Sequence, residues 1–312
     1  MSRVLSALRS RWARVVFLLA ALAFGIWAVA SQWDGVTAAL AAISPLQLLA
    51  VLAVSLAYVF LTMLSWRAVM TDLGSRLSVR DASRVFFVSQ VGKYLPGGVW
   101  NIVAAAEMGA DHEIPRRRSV SVMAVSILVS IVTGLLLAVV AVLLGPPELR
   151  EQFGWVAWTL PVFLVLLLPP VLNRVLGLAL SLARRPALEQ PLTGGGVARS
   201  AAWALAGWVL AGVQVWLIAS QLGMDADLAT LALAVGGYAL AWIVGFLAIV
   251  VPAGVGVREA VLGALLAGQL DAGAVVVTVL LARVVLTVAD LLLGLGAMSL
   301  LRRRSRREVL PG

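Results

Sequence analysis

The chain has no cysteine, one histidine and one lysine. The first absence excludes disulfides, thiolate nucleophiles and cysteine metal sites. The single histidine, His112, sits in a polar loop between Asp111 and Glu113. One imidazole beside two sequence-adjacent carboxylates does not form a convergent ligand set, so no metal or other cofactor is expected. Charge is scarce as well: 12% of residues are Asp, Glu, Lys or Arg, against 62% hydrophobic and a mean hydropathy of +1.02. A soluble core of 312 residues could not bury that much apolar surface. The composition is that of an integral membrane protein.

The 24 basic residues, all arginine except Lys93, give a net charge of +9. They lie between apolar runs and at the two ends, which points to a cytoplasmic collar and away from nucleic-acid binding. Apolar stretches of about 20 residues, enough to cross the hydrocarbon, run over 15–33, 46–66, 120–144, 153–172, 201–220, 228–251 and 274–301. A shorter run, 257–270, follows the break Pro252-Ala253-Gly254-Val255-Gly256. The expected fold is a single all-α polytopic domain with about 7–8 transmembrane helices. Trp33, Trp66, Trp155 and Trp203 lie at span ends and read as interfacial anchors.

Loop charges set the orientation. Arg3, Arg9, Arg11 and Arg14 precede the first span, and Asp34 follows it, so the N-terminus is expected in the cytoplasm. The loop carrying Arg67, Arg76, Arg80 and Arg84 and the cluster Arg116, Arg117 and Arg118 belong on the same side by that rule. They flank the apolar run 85–106. A segment that leaves and returns on one side reads as a re-entrant hairpin, folded at Pro96-Gly97-Gly98. Arg174, Arg184, Arg185 and Arg199 lie inside, as does a basic tail, 302–312. Both termini are thus expected in the cytoplasm. Ala28-Val29-Ala30 imitates a signal-peptide cleavage site, but this span is expected to remain as a helix.

The order of crossings and breaks suggests an inverted repeat, 15–144 and 153–301, joined through a flexible linker at Thr193-Gly194-Gly195-Gly196. A plain bundle with proline kinks is the alternative. The second broken element is a full crossing plus a short return, or a hairpin from outside. Backbone groups freed at such breaks are tolerated where they line a polar cavity. Pro96, Gly97, Gly98, Pro252, Gly254 and Gly256 are the break residues.

Intramembrane charges mark candidate binding residues. Lys93 precedes the first break and Asn101 closes its motif; Arg258 and Glu259 follow the second. Arg283 and Asp290 share one face of the last span, about 10 Å apart along the axis. Interfacial snorkelling and packing ion pairs would also account for these charges. If they converge, cations and helix N-termini complement a phosphate, and an apolar flank suits lipid chains.

The ordered pair Gly92-Lys93-Tyr94-Leu95-Pro96-Gly97-Gly98-Val99-Trp100 and Val251-Pro252-Ala253-Gly254-Val255-Gly256-Val257-Arg258-Glu259-Ala260 resembles the lysylphosphatidylglycerol synthase transmembrane family, the flippase-like membrane portion of multiple peptide resistance factors. The resemblance covers roughly 15–301 and implies an inner-membrane domain that moves an anionic or aminoacylated phospholipid, or an isoprenoid-linked lipid, between leaflets. Many members have an arginine shortly after the double glycine, where this chain has Asn101-Ile102-Val103. That departure leaves the first half resting on Lys93. Full-length lipid-aminoacylating members append a synthetase domain, and after Leu301 only eleven residues remain, so no such domain is expected. No nucleotide loop, Ser-His-Asp set or metal quartet appears either, and the chain is expected not to be an enzyme. The alternative reading is a non-catalytic accessory subunit that positions a membrane enzyme partner, such as a glycosyltransferase or lipid synthase.

Overall fold

The computed structural model describes residues 30, 33–94, 100–182, 190–248 and 254–308. Every regular element among them is helical. Helix α1 (Trp33–Ala42) leads into α2 (Pro45–Asp72), whose first turn is capped by the Ser44 hydroxyl accepting from the Gln47 N–H. Next come α3 (Val79–Val91), a 3-10 turn (Gly92–Tyr94), α4 (Trp100–Ala110) and α5 (Arg116–Leu144). Short pieces follow: α6 (Pro147–Phe153), a 3-10 turn (Gly154–Thr159), α7 (Leu160–Leu166) and α8 (Pro169–Leu182). The chain closes with α9 (Gly194–Gln221), α10 (Leu228–Leu247), α11 (Val257–Leu266) and α12 (Ala272–Glu308).

Five of these helices, α2, α5, α9, α10 and α12, are long and apolar enough to cross a bilayer, or up to six spans if the bent pair of α6–α7 with α8 counts as one. The protein is a multi-pass α-helical membrane protein. The expected span 153–172 is not one straight helix. Pro161 lies in the first turn of α7 and Pro169 and Pro170 open α8, where they start new helices and cannot continue a preceding one, and the chain turns sharply between α7 and α8. Of the expected span 15–33 only Ala30 and Trp33 lie within the described residues, so that crossing and the rest of the Ala28-Val29-Ala30 site stand outside them.

The hairpin expected over 85–106 takes the form of two short helices. The 13 residues of α3 and 11 of α4 reach about 20 and 16 Å, less than the roughly 30 Å of hydrocarbon. The arms pack on each other, and a Cβ on Gly92 would come within 2.8 Å of the Asn101 backbone N. In the second element, α10 has 20 residues, enough to cross, whereas α11 has 10.

Three other expectations are corrected. Thr193-Gly194-Gly195-Gly196 is no flexible linker: Thr193 caps α9, and the three glycines form its first turn. The Asp72 carboxylate, at the end of α2, accepts from the Thr193 N–H (2.7 Å) and hydroxyl (2.6 Å), and Gly196 has no room for a Cβ beside it. Trp66 is 1% exposed and belongs to the core instead of an interface. Of the arginines assigned to the second loop, Arg67 lies in α2 and Arg80 and Arg84 in α3, because both helices run further than the apolar runs that signal them.

The axis of the bundle is the α2–α9 pair. Ser65 donates to the Ser200 carbonyl (2.9 Å), and the Gln47 side chain donates to the Leu217 carbonyl (2.8 Å). Around this axis, α3–α4 packs on α12 and α5, while α10–α11 packs on α5 and α12. Each broken pair therefore rests against the long helix that closes the other half of the chain. The α10–α5 seam is especially tight: a Cβ on Gly236 would fall 2.7 Å from the Leu137 carbonyl oxygen and 3.0 Å from Ala138 Cα.

Candidate functional site

The polar residues that three of the spans direct into the interior cavity recur at helical intervals. On α2 they are Tyr58, Thr62 and Ser65; on α5, Ser126 and Ser130; on α12, Arg283, Thr287 and Asp290. Spacings of three, four and seven place each set on one helix face. The three faces meet, together with the two breaks, around a cavity of about 390 Å³. Lys93 and Asn101 line it from the first break, and Gly254 and Arg258 from the second.

Two ion pairs tie the breaks to α12. Lys93 Nζ lies 2.7 Å from Asp290 Oδ2, with side-chain exposures of 31% and 1%. Arg283 Nη1 donates to Glu259 Oε1 at 2.8 Å, and both side chains are 18% exposed. The other oxygen of Glu259, Oε2, accepts from the Gly256 N–H at 2.6 Å. That bond occupies one of the N–H groups left open at the start of α11. Gly254 and Gly256 have φ of +67° and +84°, where L side chains are strained, and Gly254 abuts the backbone of Gly245. The second break thus turns tightly and returns against the end of α10.

Arg258 is held differently. It is 9% exposed, and its guanidinium carbon lies 4.4 Å from the centroid of the Tyr238 ring. Behind it, Tyr238, Arg258, Glu259 and Arg283 border a second void of about 10 Å³, the scale of one water.

An aromatic row runs from this buried point to the outside of the bundle. Tyr58 and Tyr238 meet edge to face at 6.2 Å, Trp208 meets Trp242 at 5.3 Å, and Trp242 stacks on Phe246 at 5.3 Å. Phe246 is 43% and Leu247 61% exposed, yet both line the cavity. The cavity is therefore polar at its base and apolar where it meets the outside of the bundle.

Of the residues marked in the sequence, Lys93, Asn101, Gly254, Arg258, Arg283 and Asp290 line one cavity, and Glu259 lies behind its wall. Gly256 is at the second turn. Pro96, Gly97, Gly98 and Pro252 lie outside the described residues. Sequence reasoning passed over Gln90, Tyr58, Thr62, Ser65, Ser126, Ser130, Trp242 and Thr287. The signal for several of them was present, since hydroxyls at helical spacing within an apolar span mark an inward face.

Among the described residues no group of three or more His, Asp or Glu converges as metal ligands. Glu107 pairs instead with Arg116 at 2.7 Å on the surface, and Arg118 donates to the Ser75 hydroxyl at 2.8 Å.

Together the fold and the cavity define a multi-pass α-helical membrane protein whose broken helices enclose a charged cavity bordered by exposed apolar side chains. The chain belongs to the family described as the lysylphosphatidylglycerol synthase TM region, whose profile matches residues 11–294. That family is a membrane, lipid-related and flippase-like domain type. No curated protein matches the chain.

Proposed function

We propose that the protein moves a phosphate-bearing membrane lipid between leaflets, with its headgroup passing through the cavity and its chains remaining in the bilayer. The observation that carries this reading is the combination of three buried or half-buried cations at the base of the 390 Å³ cavity with exposed apolar residues at its rim. Lys93, Arg258 and Arg283 would attract the phosphate, Asn101 would donate to it, and Asp290 and Glu259 would set the resting charge. Phe246 and Leu247 would border the path of the chains.

The mutual packing of the two broken pairs with α5 and α12 supports an inverted-repeat reading over 15–144 and 153–301, in which the breaks alternate as gates. The arginine distribution supports a cell-membrane orientation with both termini cytoplasmic. No catalytic step is assigned to the cavity, and the protein acts as a carrier. The accessory-subunit reading draws less support, because a partner-positioning bundle has no need of a large charged cavity at its centre.

The test is reconstitution of the purified chain into vesicles containing a fluorescent phospholipid, followed by quenching from outside. The quenched fraction should exceed that of protein-free vesicles. Equal fractions, with one membrane enzyme copurifying in stoichiometric amount, would replace the carrier reading with the accessory one.

A further inference from the structure

The cavity and its back wall carry an odd number of charges. Lys93, Arg258 and Arg283 face Asp290 and Glu259. Asp290 is matched by Lys93 and Glu259 by Arg283. Among the described residues, no carboxylate forms an ion pair with Arg258; its sequence neighbour Glu259 is turned toward Arg283 and the Gly256 N–H. Residues 95–99 and 249–253, outside the described set, contain no ionisable side chain. Among the described residues, one buried positive charge is left over. The Tyr238 ring offsets it only in part, and a guanidinium at this depth requires a counter-ion.

We infer that the passenger supplies that counter-ion: a lipid whose headgroup is a phosphodiester with one net negative charge and no basic group, of which phosphatidylglycerol is the simplest example. This rests on the lipid-carrier reading above. A phosphodiester cancels the excess. A headgroup that adds an ammonium restores it, because the amine neutralises the phosphate before Arg258 can. A phosphomonoester, with nearly two charges at neutral pH, overshoots. Arg258 is thereby the residue that sets headgroup charge.

The experiment uses the full chain in vesicles with three fluorescent lipids in separate preparations: phosphatidylglycerol, phosphatidylethanolamine and lysylphosphatidylglycerol. Phosphatidylglycerol should move at least about tenfold faster than either of the others, since the headgroups differ from it by one charge in phosphatidylethanolamine and by two in the lysyl lipid, in a poorly screened cavity. Arg258→Gln should bring the three rates close together, and Arg258→Lys should preserve their order. Removing an uncompensated cation should also leave the melting temperature unchanged or raise it; a fall would mark Arg258 as a structural residue and overturn the assignment. Equal rates for the three lipids in the unaltered protein, or fastest movement of the lysyl lipid, would overturn the inference while leaving the carrier reading in place. Movement of none of them would remove the carrier reading itself. Soluble glycerophosphoglycerol, the same phosphodiester without acyl chains, should not compete. Inhibition by it as strong as that by a short-chain phosphatidylglycerol would assign the site to a soluble anion instead of a lipid.

Discussion

Both breaks are tied to α12 by an ion pair, but the two pairs are built differently. At the first, a half-buried partner meets a fully buried one, Lys93 at 31% and Asp290 at 1%. At the second, Arg283 and Glu259 are equally shielded, and Glu259 also accepts the Gly256 N–H at the turn. A carboxylate that holds both a neighbouring helix and its own helix start is part of the framework. A lysine reachable from the cavity can exchange its partner. The difference marks the Arg283–Glu259 pair as framework and leaves Lys93, with Arg258, as the cations open to the cavity.

The strongest way to break that comparison is to delete Glu259. Glu259→Ala removes the carboxylate that Arg283 donates to and frees the Gly256 N–H, and should cost about 3 kcal/mol of apparent stability. Thermal unfolding in one detergent, followed by loss of the monodisperse peak, measures it. A loss below that of a surface carboxylate such as Glu107→Ala would show that the second pair is not framework.

Packing gives the next largest contrast. Gly236 faces the backbone of α5, whereas Gly294 of α12 meets mainly a side chain, Val91 Cγ2 at 2.9 Å. Backbone cannot step aside as a side chain can. Gly236→Ala should therefore cost about 2 kcal/mol, and Gly294→Ala less than about 1 kcal/mol. Equal losses would mean that the first pair is docked on α12 as rigidly as α10 is on α5.

Replacing whole ion pairs sharpens the assignment of roles. Lys93→Met with Asp290→Leu removes both charges together, so stability should stay within about 1 kcal/mol of the parent. Lipid movement in vesicles should nevertheless fall at least about tenfold, the loss of one charge-assisted contact. Unchanged movement would strip Lys93 of its role in binding.

These contrasts show how far the sequence could be read. The multi-pass class followed from hydropathy, and the arginine-flanked run 85–106 coincides with the packed short helices α3 and α4. Lys93, Arg258, Arg283 and Asp290 stood out because charges inside spans are costly. Their partners did not: the seven-residue spacing of Arg283 and Asp290 gives a shared face, but not that each reaches a different break. Proline was passed over in 153–172, where three of them divide a sufficiently apolar run into pieces. Glycine was over-read as flexibility at Gly194-Gly195-Gly196, because the feature that orders it, the carboxylate of Asp72, is 121 residues away from Thr193. Long-range partners are invisible to local pattern.

The smallest expected effect separates the starts of the two broken pairs. Each first arm begins with a side-chain cap. In α3 the Ser78 hydroxyl accepts from the Asp81 N–H at 3.1 Å; in α10 the Asp227 carboxylate accepts from the Thr230 N–H at 2.8 Å, within a reciprocal capping box. Asp227 lies in the loop before α10, and hydrogen bonds from the backbone N–H of Thr230 and then from its side chain hold the carboxyl below its ordinary range. A group depressed in the folded state contributes stability that is complete above the unfolded carboxylate range and is lost as the pH falls through the folded value. The Ser78 hydroxyl has no such titration. Acidification should therefore lower the hydrogen-exchange protection of the Thr230 amide more than that of the Asp81 amide, after correction for intrinsic rates. Asp227→Asn keeps a competent cap without the ionisation, and should make the Thr230 protection independent of pH. If the asparagine variant retains the acid response, the loosening begins elsewhere in α10 and the two starts are equivalent.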